Sequence, residues 1–318
     1  MALFTFNFDK RLTGVILTLV IGTVVLGAYN LLIWNIRKQD PGGEAAGKKF
    51  WRRKIFPEKK YNIVFLGDSR CMNGMDPSAF EEKLKKPAFN SGFLSGGLSR
   101  SLFDHINKKT LSTSSQELRC VVLVVTPVVL STLGEKNGHF HSLLRSSKKE
   151  TSEDFSGEDF FRPLNSKEIA LLWGDGLSRT VCHENGWSEL HKKVRKRSQR
   201  NALRYYETLL AKLEFSKENW ENILRQTKLW SDNNVAVFAF YIPSTPALQK
   251  MELATPGFDL KKFKSLFEKN GGIFLEIANR ESYNAYDAVH LSSADAKRLS
   301  KEVAEKMYAR LKASKAVK

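Results

Sequence analysis

The sequence predicts an α/β protein, a three-layer sandwich with a central parallel sheet, preceded by one N-terminal transmembrane helix. Three observations predict it. Short β-rich apolar runs alternate with helix-like stretches along residues 61–318, the order that places helices on both faces of a sheet. Those runs are continuous rather than alternating, as strands covered on both sides require. Residues 13–34 carry no charged side chain over 22 positions, and a helix of that length spans a hydrocarbon core of ~30 Å at ~1.5 Å per residue.

The apolar segment is read as an uncleaved anchor. It is long for a secretory leader and runs into Asn35, Ile36, Arg37 and Lys38 without a small-x-small cleavage site. Tyr29 and Trp34 fall near one end, where amphipathic rings favour the interface, and Asp9, Lys10 and Arg11 close the other. Orientation has two answers at this level. The downstream flank holds seven cations from Arg37 to Lys54 against Lys10 and Arg11 upstream, which by itself directs the soluble part to the cytoplasm. The kind of domain argued below directs it to the envelope side.

Residues 1–12 form a tail and 35–60 a basic juxtamembrane linker containing Pro41, Gly42 and Gly43. Strands are expected at 62–66 (NIVFL), 120–125 (CVVLVV), 235–241 (VAVFAFY) and 273–277 (IFLEI). Helices are expected at 77–84, 100–109, 216–233, 260–270 and, after Ser292 and Ser293, 294–311. Residues 134–205 break the rhythm with a polar stretch rich in Gly, Ser and charge, holding Trp173, Trp187 and a basic run from Lys192 to Arg204. They are expected to form an insertion with helical pieces, a lid or a substrate wall.

Composition limits the function classes. The 318 residues are 42% apolar, enough for a substantial core. The net charge of +17 favours acidic partners such as lipid head groups, nucleic acid or anionic polysaccharide. It is dispersed, with eleven Lys/Arg against four Asp/Glu in residues 1–60 and 40 against 30 in the remainder, so a nucleic-acid module is not expected. Cys71, Cys120 and Cys182 are odd in number and lack CxxC spacing, which points to small buried apolar residues rather than a disulfide framework. His105, His139, His141, His183 and His191 lack metal-ligand spacing, and neither metal nor cofactor is expected.

Two short segments carry chemistry. Gly67, Asp68, Ser69 and Arg70 follow the first strand, and a serine after a glycine turn at the carboxyl end of a parallel strand sits where open α/β sheets place ligands. Far along the chain, Tyr286, Asp287, Ala288, Val289 and His290 precede the last helix. An aspartate three residues ahead of a histidine can hold the imidazole Nδ1–H while Nε2 faces a nucleophile. Ser69, Asp287 and His290 are therefore the candidate catalytic triad.

With these blocks and the glycine-rich block from Phe89 to Gly97 between them, the chain resembles the SGNH, or GDSL-type, hydrolases over nearly the whole soluble part. The resemblance implies a flavodoxin-like sheet and acyl transfer through a serine ester. It implies an oxyanion hole from the N–H groups of Ser69 and Gly96, with Gly97 and Gly92 as alternative alignments. It also implies that Asp68, Arg70, Asn90 and Thr126 stand near the substrate, and Trp187 is a candidate for the substrate wall. Where the family usually shows Gly-x-Asn-Asp, this chain has Val125, Thr126 and Pro127, so the asparagine donor is missing and Thr126 is one replacement considered. The Ser-Arg after Gly-Asp and the strand ending in Thr-Pro resemble a membrane-anchored branch linked to bacterial envelope polysaccharides. That likeness implies an acylated glycan or lipid-linked substrate and a membrane acyl-donor protein as partner.

Overall fold

The computed structural model describes residues 10–39, 44–114, 116–145, 179–192 and 194–316. Much of the expected insertion, with Trp173, lies outside the described residues. The apolar segment forms α1 (Lys10–Gln39), in which Thr13–Leu32 is long and apolar enough to cross a membrane. Its large aliphatic side chains from Val15 to Leu32 stand exposed. An exposed apolar face of this size is compatible with a lipid environment.

Part of the stretch expected as linker is folded. Helix α2 (Glu44–Ile55) buries Phe50, Lys54 and Ile55 against the domain. Lys54 reaches across to donate from Nζ to the carbonyls of Asn90 (2.6 Å) and Gly92 (2.9 Å). Its ammonium also lies 4.8 Å from the ring centroid of Phe50.

The domain is a five-stranded parallel sheet in the order β2-β1-β3-β6-β7. The strands are β1 (Ile63–Leu66), β2 (Ala88–Asn90), β3 (Cys120–Val125), β6 (Ala236–Tyr241) and β7 (Ile273–Phe274). A separate antiparallel hairpin pairs β4 (Arg179–Cys182) with β5 (Ser188–His191). Alternate residues of each strand feed two cores. Val64, Leu66, Val121, Leu123, Val237 and Ala239 face one side, where α5 (Arg100–His105), α10 (Lys217–Asp232) and α12 (Leu260–Lys269) supply Phe103, Trp230 and Phe263. Ile63, Phe65, Val122, Val124, Phe238 and Phe240 face the other. There α3 (Ser69–Gly74), α4 (Ser78–Leu84) and α13 (Ser293–Ala316) supply Cys71, Phe80 and Leu299. Burial on both faces explains the continuous apolar runs.

The expected helix starts coincide with side-chain caps. Ser216 Oγ accepts from Asn219 N–H ahead of α10, and an Asp259 carboxylate oxygen accepts from Lys262 N–H ahead of α12. Four differences stand out. The short strand β2 leads into the glycine-rich block, and β7 stops after two residues. The expected helix at 100–109 divides into α5 and a π-turn at Ile106–Thr110. The hairpin lies within the insertion, where helical pieces but no strands were expected. The remaining helices are α6 (Pro127–Leu130), α7 (Thr132–Lys136), α8 (Gly138–Arg145), α9 (Lys196–Leu210) and α11 (Pro246–Leu253). Cys71, Cys120 and Cys182 form no disulfide; the first two are buried and Cys182 is half-buried.

Burial lowers the Lys54 pKa from its ordinary 10.5 to about 7. The unfolded chain therefore holds this proton more tightly than the folded one, and stability contributed at this site rises with pH between those two values and is lost as pH falls through the lower one. Thermal melts in detergent should show such a rise from about pH 7 to about pH 10 in the wild type, and Lys54→Met should flatten it.

Candidate active site

Because every strand of the main sheet points the same way, the loops leaving β1, β3 and β6 emerge at one rim. Ser69 is the first residue of α3, immediately beyond β1. Asp68 caps that helix, its Oδ1 accepting from Arg70 N–H at 2.9 Å, and its Oδ2 accepts the Thr126 hydroxyl at 2.7 Å. This carboxylate ties the exit of β1 to the exit of β3. Gly67 and Gly92 are needed for close approach. A Cβ on Gly67 would lie 2.8 Å from Cys71 Cβ, and one on Gly92 would lie 2.6 Å from Met72 N.

The second chemical segment arrives at the same rim from the loop before α13. Ser69 Oγ lies 2.9 Å from His290 Nε2, and His290 Nδ1 lies 2.9 Å from Asp287 Oδ2. Asp287 Oδ1 also accepts the backbone N–H groups of His290 (2.8 Å) and Val289 (3.1 Å). Burial pushes the Asp287 pKa up, but hydrogen bonds from His290 and Val289 outweigh it and hold the carboxyl at about 2. An ionised Asp287 accepts only, so Nδ1 carries the imidazole proton and Nε2 is left to accept from Ser69. Between the two residues, Ala288 is held at φ 74°, a conformation disfavoured by its Cβ, while its carbonyl accepts from Thr245 Oγ1 at 3.1 Å.

The residues expected near the substrate divide. Asp68 borders the cleft, with its carboxylate engaged as above. Arg70 lines neither cleft bordered by Ser69. Its side chain is 1% exposed, paired with Glu252 at 2.5 Å and donating to the Ile242 carbonyl at 2.8 Å. Burial alone would lower the Arg70 pKa, but Glu252 and the Tyr241 hydroxyl beside it reverse that and keep the guanidinium charged. Asn90 is fully buried, donating to the Cys71 and Met75 carbonyls (2.8 Å each) and accepting from Gly92 N–H at 2.9 Å. It ends α3 rather than binding a ligand. Thr126 caps α6 by accepting from Val129 N–H at 3.1 Å while donating to Asp68, so its hydroxyl is not a spare oxyanion donor.

Trp187, expected at the substrate wall, lines neither cleft bordered by Ser69. It is 2% exposed, donates from Nε1 to the Asn73 carbonyl at 2.9 Å, and stacks on His183, fastening the hairpin to α3. The N–H of Gly96 donates to the Phe93 carbonyl at 3.2 Å, and that of Gly92 is taken by Asn90. The residue that sequence reasoning missed is Ser95. It borders both clefts that contain Ser69 and His290, sits at φ 46°, and its N–H has no intramolecular acceptor among the described residues. A left-handed serine beside two glycines has no signature in the sequence. Among the described residues no group of three or more His, Cys, Asp or Glu side chains is placed to hold a metal ion.

No protein-family model matches the chain, and no curated protein matches it. Among solved structures, one named as a platelet activating factor from Streptococcus pneumonia overlays with a TM-score of 0.37 at 11% identity, covering 91% of this chain and 98% of that one. An overlap that loose carries no chemistry across. The arrangement defined here is a parallel α/β sheet with a hydrogen-bonded serine, histidine and aspartate at its carboxyl rim.

Replacing Glu252 by Ala would leave the Arg70 charge buried without its partner, a change that costs ~3–5 kcal/mol. Denaturant unfolding should show that loss for Glu252→Ala, and the double variant Arg70→Met/Glu252→Leu should recover most of it.

Proposed function

We propose that this protein is a membrane-anchored serine esterase or O-acyltransferase acting on an acylated glycan or lipid-linked substrate through an acyl-Ser69 intermediate. The observation that carries the reading is the relay from Ser69 Oγ through His290 to Asp287, with both links at 2.9 Å and one end open to a cleft. His290 Nε2 takes the hydroxyl proton as Ser69 Oγ attacks an ester carbonyl, and returns it to the departing alkoxide. Asp287 stabilises the imidazolium formed between those steps. Water or a sugar hydroxyl then attacks the acyl-enzyme, again giving its proton to His290.

The developing oxyanion would be met by the N–H groups of Ser69 and Ser95. Each such donor is worth ~3–4 kcal/mol in the transition state, so the asparagine missing where the family shows Gly-x-Asn-Asp predicts modest turnover rather than none. That absence also supports a second reading, a tethered domain that binds glycan or a partner subunit without chemistry.

A serine-directed fluorophosphonate separates the two. Wild-type protein should be labelled, Ser69→Ala should not, and unlabelled wild type that melts cooperatively would favour the binding module. On an activated ester, Asp287→Asn should lower kcat by ~10³–10⁴, because the imidazole is then held in the wrong tautomer.

A further inference from the structure

Lys54 is a buried ionisable group that the proposed chemistry leaves unused. Its side chain is fully buried, and no carboxylate pairs with it among the described residues. Around its ammonium stand the Asn90 and Gly92 carbonyls and the rings of Phe50 and Phe93, at 4.8 and 5.7 Å to their centroids. Desolvating an amine that has no acidic partner is costly. An uncharged side chain of the same length would fill the space without that cost. What the amine adds to packing is a set of N–H donors aimed at two carbonyls of one loop.

That loop leads to Ser95. Its backbone is pinned to β1 and to the turn after it, Ser91 N–H donating to the Phe65 carbonyl at 2.9 Å and Phe93 N–H to the Gly67 carbonyl at 3.1 Å. From α2 come two further restraints. Lys54 takes the two carbonyls at 2.6 and 2.9 Å, and the Trp51 ring stacks on Phe93 with centroids 6.4 Å apart. Past Phe93, a backbone bond from Gly96 N–H to the Phe93 carbonyl at 3.2 Å closes the turn. Ser95 sits inside it at φ 46°, a conformation that a serine keeps only where its surroundings over-determine it.

Resting on the reading that Ser69 forms an acyl-enzyme with the Ser95 N–H in its oxyanion hole, we propose that Lys54 is a positioning residue, through which α2 holds Ser95 in place by way of the Asn90 and Gly92 carbonyls. The helix that follows the apolar segment is then a working part of the reaction centre. Removing the donors leaves two buried carbonyls without these partners, a state the loop relieves by turning them toward water. The Ser95 N–H is carried out of the cleft with the loop. Ser69, His290 and Asp287 belong to other segments and keep their own bonds, so the relay survives while support of the oxyanion is lost.

The test uses the full chain in detergent with p-nitrophenyl acetate and its thionoester analogue, in which sulfur replaces the carbonyl oxygen. Sulfur accepts hydrogen bonds weakly, so the thionoester draws less from the N–H donors. Lys54→Met should lower kcat on the oxygen ester by ~10²–10³, the effect of losing one oxyanion donor. Its KM should stay within about threefold of wild type, since the interaction lost is made in the transition state. The ratio of oxygen-ester to thionoester kcat/KM should fall by at least about tenfold. Circular dichroism melts establish that the variant is folded at the assay temperature. Lys54→Gln, whose N–H pair stops one atom short of the carbonyls, should shift the ratio the same way and carries the comparison if the Met variant does not fold. A folded variant with unchanged kcat, or with reduced kcat and an unchanged ratio, would overturn the positioning role while leaving Ser69 as nucleophile. Folded wild type that never acquires acetyl on Ser69 would overturn the esterase reading itself, and the positioning role with it.

Discussion

Parallel strands deliver all their carboxyl ends to one edge, and the rest of this molecule follows from that geometric fact. Ser69 leaves β1, Thr126 leaves β3 and the Arg70 contacts at Ile242 and Pro243 leave β6, so residues far apart in the chain meet within hydrogen-bond distance. The register of β3 against β1 and β6 sets where each loop emerges. A slip of one residue would exchange the two cores, sending Val122 and Phe238 to the side built for Val121 and Val237.

Beneath the rim lies a polar layer whose task is placement. Asp68, Arg70, Asn90 and Thr126 hold the turn around the serine, with hydrogen bonds to backbone, to one another, to Glu252 and to the Cys71 thiol. The buried Arg70–Glu252 pair, extended by the Tyr241 hydroxyl at 2.5 Å, links α3 to α11 across the end of β6. Desolvating two charges is costly, so the pair contributes little net stability, but its loss on one side alone is severe. It holds one arrangement of the turn that carries Ser69.

This layer also explains which parts of the fold were legible in the sequence. Apolar runs at β1, β3 and β6 and the capped helices α10 and α12 declare themselves locally, because continuous burial and Ser or Asp caps leave a pattern within a few residues. The Asp-x-x-His spacing of Asp287 and His290 is similarly local. Polar residues beside a nucleophile look alike whether they bind substrate or brace a turn. What separates them is a distant partner, as with Glu252, 182 positions from Arg70. The same holds for Lys54, whose acceptors Asn90 and Gly92 belong to a loop that its own sequence does not announce. Strand β2 escaped because three residues between Pro87 and a glycine-rich loop are too few to show a period.

Helix α2 brings Phe50 and Trp51 into the wall of one cleft. A chain can extend no more than ~3.6 Å per residue, so Phe50 lies within ~65 Å of Leu32, where the apolar stretch ends. With that stretch seated in a bilayer, as proposed, the cleft would stay inside a shell of that depth, and a ligand rooted in the lipid would reach it by lateral diffusion, at a surface density rather than a bulk concentration.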